Sequence, residues 1–147
     1  MVELHHIYKC IEDSGAQLYL YNIGFADAAT LKLNGQYAVF VDTDAVASIR
    51  RLKGDLCHEC GHVATGALHQ IDSPYDIVER HEYKADRWFA ETFIKPIDIH
   101  EAFKAGYRET WELSDWFDLP EEDIKKALHY WVECKGVCFY EFDEDDA

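Results

Sequence analysis

One amphipathic helix dominates the middle of the sequence. From position 46 onward, apolar residues recur every three or four positions, the spacing that places them along one side of an α-helix: Val46, Ile49, Leu52, Leu56, Cys60, Val63 and Ala67. A stripe of this length needs other elements to cover it, because most helical stability in proteins comes from packing an apolar face. The sequence therefore predicts a long helix, over roughly 46–67, with one side in the core.

The same helix carries the motif His58-Glu59-Cys60-Gly61-His62, an HExxH pattern. Side chains four residues apart lie one turn above each other, so His58 and His62 can grip one metal ion. His58 is two residues from both Leu56 and Cys60, which places the two histidines away from the apolar stripe. Zinc suits imidazole ligands and leaves one position open for water in catalytic sites. Glu59 could then take a proton from that water and pass it to a leaving amine.

A third ligand is available from a second predicted helix, at about 75–94. Glu82 and Asp86 are again four residues apart and border the apolar side of that helix. Glu82 could complete a site with two histidines and one carboxylate, and Asp86 could accept the remaining ring N–H of a ligand. An exposed acidic pair is the alternative, but its place downstream of HExxH favours the ligand role.

Other ligand sets fit less well. The metzincin pattern HExxHxxGxxH requires Gly at 65 and His at 68, but the chain has Thr65 and Leu68, with Gly66 and His69 each one residue late. A four-cysteine zinc site is disfavoured because its CxxC pair would lie inside a continuous helix; it would use Cys57, Cys60, Cys134 and Cys138. The residue that would steady an oxyanion is not identified, and three side chains are within plausible reach: Tyr83, His69 and His81.

The strings HECGH and EYKADRWFAETFIKP resemble the ImmA/IrrE family of metallo-endopeptidases, found in bacteria and often carried by phages and integrated elements. The resemblance covers roughly residues 30–132. It implies a minimal zincin fold, zinc ligands at His58, His62 and Glu82, catalysis by Glu59, and helix-turn-helix repressors as substrates. The chain departs from the family at Cys57 and Cys60, at the bulky pair 88–89, and at a proline, residue 96, that comes about one residue late.

The rest of the chain predicts an α+β domain. Residues 1–14 have helical spacing, and a short antiparallel sheet is expected from about Leu18 to Val41, with Asn34-Gly35 as a hairpin turn. Shorter helices are expected at 98–107, 109–117 and 121–133, with a closing strand at 136–142. The last two helices have a helix-turn-helix rhythm, but their acidic charge favours packing on the core. One domain over 1–140 and an acidic tail over 141–147 follow.

Charge and cysteine content restrict the partners. The net charge is −15, which disfavours direct nucleic-acid binding, and no apolar run is long enough to span a membrane. The first ten residues lack the pattern of a secretion signal, and five cysteines favour free thiols, so we expect a cytoplasmic protein. The leading hypothesis is a zinc endopeptidase acting on a cytoplasmic regulatory protein. The alternative is a non-catalytic antirepressor or toxin-antitoxin partner with a structural metal.

Overall fold

The computed structural model describes residues 1–68 and 73–139. Within those ranges the chain forms six α-helices, three strands and one π-helical turn, which confirms the predicted α+β class. The elements in chain order are α1 Leu4–Asp13, β1 Gln17–Leu20, β2 Ala28–Leu33, β3 Gln36–Val41, α2 Ile49–Thr65, α3 Tyr75–Phe93, α4 Pro96–Lys104, α5 Thr110–Phe117, α6 Glu121–His129 and the π-turn Tyr130–Cys134.

The sheet is small and mixed, with strand order β1-β3-β2. β2 and β3 form the predicted antiparallel hairpin, and Asn34 and Gly35 take positive φ values of 51° and 79°, as the tight hairpin turn requires. The prediction of an all-antiparallel sheet is wrong for β1, which runs parallel to β3. The segment between β1 and β2 is long enough for β1 to pair with the side of β3 opposite β2. β3 is therefore the central strand, and β1 and β2 are the two edge strands.

The long helix α2 lies at the centre of the hydrophobic core. Its start is three residues later than predicted, because the side chain of Ser48 accepts a hydrogen bond from the Arg51 amide and caps the first turn. Gly66, with φ of 65°, ends it in the left-handed conformation. The predicted apolar side is buried from Leu52 onward, and Leu56 and Cys60 have no exposed surface. The prediction is wrong for Ile49 in the first turn, which is 60% exposed.

The opposite side of α2 is covered by α3. The two helices approach each other closely at Gly61, where an added Cβ would lie 2.7 Å from the carbonyl oxygen of Ala85. This separation is shorter than real Cβ contacts allow, so only glycine permits such an approach. The glycine inside HExxH therefore sets how near α3 can lie to the two histidines.

The C-terminal helices close the structure. Pro96 begins α4 and Pro120 precedes α6, and α5 and α6 pack on the core through Leu113, Phe117 and Ile124. The predicted closing strand is wrong for residues 136–139, which lack strand structure after the π-turn, and residues 140–142 lie outside the described part of the chain. The acidic tail, 141–147, also lies outside it.

One hydrophobic core joins α1, the inner face of the sheet and the five later helices. All five cysteines are free thiols, and Cys57 and Cys60 are fully buried in this core. None of the helices in the described ranges combines the length and the apolar character that a membrane crossing requires.

Candidate metal centre

The two histidines of the motif meet on one face of α2. His58 and His62 lie one turn apart, and their Nε2 atoms are 3.1 Å from each other. His62 is buried, with 4% of its surface exposed, because α3 covers this face of the helix, whereas His58 is half-buried at the edge of a cleft. Both rings therefore direct their Nε2 atoms toward one point.

Glu82 on α3 completes the group. Its Oε2 is 2.8 Å from His58 Nε2, and its Oε1 is 3.2 Å from His62 Nε2. In tetrahedral zinc sites, bonds of about 2.0–2.1 Å place neighbouring ligand atoms about 3.3 Å apart, close to these separations. Two imidazole nitrogens and one carboxylate therefore fit a metal ion in both chemistry and spacing. Among the described residues this is the one group of at least three such side chains close enough to hold a metal.

The outer nitrogen of each ring is held by a hydrogen-bond acceptor. His58 Nδ1 is 3.0 Å from Asp86 Oδ1, as predicted, and His62 Nδ1 is 2.8 Å from the backbone carbonyl oxygen of Ala67. A carboxylate and a carbonyl both accept protons, so each Nδ1 carries the hydrogen of the neutral ring. In the neutral form of each ring, Nε2 is then left with a lone pair pointing at the other ring and at Glu82, the arrangement in which a cation is favoured.

The electrostatics of the metal-free group follow from the same contacts. Burial opposes protonation of His58, but hydrogen bonds to Asp86 and Glu82 outweigh it and raise the pKa of His58 to about 10. Hydrogen bonds from His58 and His62 hold the pKa of Glu82 well below its usual range. A proton on His58 thus partly substitutes for a metal at neutral pH, and a metal must displace it.

Glu59 lies in the same cleft as the proposed ligands. The cleft has a volume of about 290 Å³, and its lining includes His58, Glu59 and Glu82. The carboxylate of Glu59 is held by Thr30 on β2, whose hydroxyl oxygen is 2.5 Å from Glu59 Oε2. Glu59 therefore stands beside the candidate metal-binding group without being part of it.

Helix α6 forms the other wall of the cleft. Lys126 Nζ is 3.5 Å from Asp86 Oδ2, so the cation of α6 contacts the carboxylate that orients His58. Asp123 lies on the same helix and also lines the cleft, and burial raises the pKa of its carboxyl group to about 6. Neither residue was singled out by the sequence, because both lie more than sixty positions after the motif and reach it only through the packing of α6 on α3.

Several residues considered from the sequence do not join the site. Tyr83 is half-exposed, and neither Tyr83 nor His81 lines the cleft. His69 lies outside the described residues. The four-cysteine alternative is wrong, since Cys57 and Cys60 are buried in the core while the two later cysteines are exposed.

Cys57, just before the motif, and Cys60, within it, have the character of small apolar residues. Burial raises the pKa of Cys60 to about 12 and that of Cys57 well above its usual value. Thiols in such surroundings remain protonated and unreactive. Their place beside the proposed ligands is therefore explained by packing.

Searches of protein-family models, curated proteins and solved structures find no match to this chain.

Proposed function

We propose that the chain is a zinc-dependent endopeptidase. His58, His62 and Glu82 would hold the metal, and Glu59 would be the general base. The observation that carries the proposal is the convergence of three electron-pair donors on one point, with both Nδ1 atoms turned outward by Asp86 and a carbonyl. Such a group favours a cation, and nitrogen ligands favour zinc over magnesium or calcium.

The role of Glu59 distinguishes a catalytic site from a purely structural one. A structural zinc site uses four protein ligands, whereas this group offers three and stands at an open cleft. When bound, zinc would supply a Lewis acid for the scissile carbonyl and would acidify water. Glu59 would accept the proton of the attacking water and return it to the leaving nitrogen. Asp86 would keep the His58 ring in the orientation that metal binding needs.

The substrate class rests on the resemblance of the motifs to ImmA/IrrE peptidases. On that basis the substrate is a cytoplasmic regulatory protein, and a helix-turn-helix repressor is the first candidate. An acidic chain with a net charge of −15 suits a protein substrate better than a nucleic acid, whose phosphates it would repel.

The decisive experiment compares the wild type with Glu59→Gln. Both are loaded with zinc and mixed with the helix-turn-helix repressor encoded beside the gene and with a quenched-fluorescent peptide library. Because an amide cannot accept the water proton, we expect Glu59→Gln to keep zinc and repressor binding but to lose cleavage by at least a hundredfold. Glu133→Gln, a change at an exposed position of the π-turn, is the matched control and should cut like the wild type.

Two outcomes would contradict the proposal. If neither protein cuts the repressor or any peptide, and both relieve repression equally, the chain is an antirepressor with a structural metal. If Glu59→Gln cuts as fast as the wild type, the cleavage belongs to another group or to a contaminant.

A further inference from the structure

The carboxylate of the proposed base is held from outside its own helix. Thr30 lies on β2, 29 positions before Glu59, and its Oγ1 is 2.5 Å from Glu59 Oε2 and 3.4 Å from the backbone oxygen of Glu59. A hydroxyl has one proton to donate, and the shorter contact directs that proton to the carboxylate. The bond is charge-assisted and therefore among the stronger hydrogen bonds that a neutral side chain can make.

The register of the sheet explains why Thr30 reaches the helix. Thr30 pairs with Val39, which is completely buried, so both side chains point to the inner face of the sheet. Ala28 and Val41 form the next pair on the same face, and they are apolar. Valine has the shape of threonine and would satisfy the packing here equally well. The hydroxyl is therefore the feature that packing leaves unexplained, and its one close partner is the carboxylate of Glu59.

The remaining carboxylate oxygen of Glu59 has different surroundings. Within residues 1–68 and 73–139, no protein group is hydrogen-bonded to Oε1, and Glu59 lines the cleft. A carboxylate anchored at one oxygen presents the other in a fixed direction, whereas an unanchored glutamate samples several rotamers. General-base catalysis depends on that direction, because the accepting oxygen must lie within hydrogen-bond reach of the water.

We infer that Thr30 is a positioning residue, which holds Glu59 Oε2 so that Oε1 is free to act as the base. The inference rests on the proposed function in that Glu59 is taken as the base. It adds a residue of strand β2 to a site otherwise built from α2 and α3. Thr30 contacts none of the three metal-binding candidates, so it affects proton transfer and leaves metal binding unchanged.

The test uses the isosteric variant Thr30→Val, the conservative variant Thr30→Ser and the control Thr110→Val. Thr110 makes the same kind of bond, with its Oγ1 2.5 Å from Glu121 Oε1, but on α5 and away from the cleft. All four proteins are loaded with zinc. Measured for each are the zinc affinity by chelator competition, the affinity for acetohydroxamate, kcat and KM on a peptide that the wild type cuts, and the crystal structure.

We expect Thr30→Val to lower kcat about 10- to 100-fold with KM within twofold of the wild type, because the base loses its orientation. Acetohydroxamate, whose acidic proton the base accepts, should bind about tenfold more weakly, while zinc affinity stays the same. In the crystal, the Glu59 carboxylate should leave its present position. Thr30→Ser should restore all of these properties to within a few fold, and Thr110→Val should match the wild type.

The inference is overturned if Thr30→Val leaves the Glu59 carboxylate in place, or if it leaves both kcat and acetohydroxamate affinity unchanged. It is also overturned if serine fails to rescue a folded, zinc-loaded protein. If the wild type cuts no peptide but Thr30→Val still displaces Glu59, the proposed peptidase activity fails and the positioning contact stands. If Thr30→Val cuts like the wild type, the peptidase proposal stands and the role of Thr30 fails.

Discussion

Helix α2 carries two polar clusters about two turns apart, and they differ in whether their charges balance. In the first half of the helix, Arg50 and Lys53 meet Asp115 and Asp118 at the end of α5. Arg50 Nε is 3.0 Å from Asp118 Oδ1, Arg50 Nη1 is 3.0 Å from Asp115 Oδ1, and Lys53 also pairs with Asp118. Two cations face two carboxylates, so this cluster is complete as it stands.

In the second half of the helix, the candidate metal-binding group has no such balance from fixed side-chain charges. The Nε2 atoms of His58 and His62 face each other and Glu82, and without a metal only the proton retained by His58, whose pKa is raised to about 10, balances the group. The first cluster therefore ties α2 to α5, whereas the second is balanced only when it takes up a proton or a metal ion. Polar residues on one helix thus separate into a set whose partners are already present and a set that could hold a metal.

The largest expected effect removes a ligand from the unbalanced cluster. His62→Ala and Glu82→Ala should each abolish stoichiometric zinc binding, because two remaining ligands cannot form a stable site at an open cleft. Elemental analysis after gel filtration and chelator competition measure the loss. His129→Ala, at an exposed position of α6, is the control and should bind about one zinc per chain. Undiminished zinc in both ligand variants would show that the metal is bound elsewhere.

A smaller effect is expected one contact away, at Asp86. Asp86→Ala leaves all three ligands but removes the acceptor 3.0 Å from His58 Nδ1, so zinc affinity should fall about 10- to 100-fold without being lost. The control is Asp76→Ala, which removes an exposed aspartate of the same helix that pairs with Arg80. Equal zinc affinities for Asp86→Ala and Asp76→Ala would mean that Asp86 has no part in the site.

The residues that the sequence predicted lie close to one another along the chain. His58 and His62 are four positions apart on one helix, and so are Glu82 and Asp86, so helical geometry alone predicts which side chains share a face. Joining the two pairs required only that neighbouring helices pack together. The hairpin at Asn34-Gly35 is also local, and the structure confirms it.

The residues that the sequence did not predict depend on contacts between distant elements. Thr30 reaches Glu59 only after β2 docks against α2, and Lys126 reaches Asp86 only through α6. His62 Nδ1 pairs with the backbone carbonyl of Ala67. Every residue has such a carbonyl, so the residue type at position 67 could not predict this contact. The one usable signal was Thr30 itself, a polar residue inside the region predicted for the sheet. The parallel pairing of β1 was missed because a turn motif fixes the direction only of the strands it joins.

The smallest expected effect concerns the balanced cluster, where Lys53→Met should destabilise the protein without changing its zinc affinity. Lys53 is buried, with 4% of its surface exposed, but Arg50 continues to pair with Asp118 and that carboxylate retains some solvent. We therefore expect a loss of about 1–2 kcal/mol in the free energy of unfolding, less than for an isolated buried pair. Urea denaturation of the metal-free protein measures it. The control is Arg80→Met, whose partner Asp76 is largely exposed, and it should cost less than about 0.5 kcal/mol.

The pH dependence of this cost provides the sharper test. The Lys53 hydrogen bond, with a smaller contribution from Arg50, lowers the pKa of Asp118 below its ordinary value of 3.8. A carboxylate with a lowered pKa stabilises the fold above its unfolded pKa and loses that contribution only as pH falls through the folded value. The difference between Lys53→Met and the wild type should therefore be constant between pH 5 and pH 8 at about the same 1–2 kcal/mol. A difference that changes across that range, or a zinc affinity that falls with Lys53→Met, would show that the two clusters of α2 are coupled rather than independent.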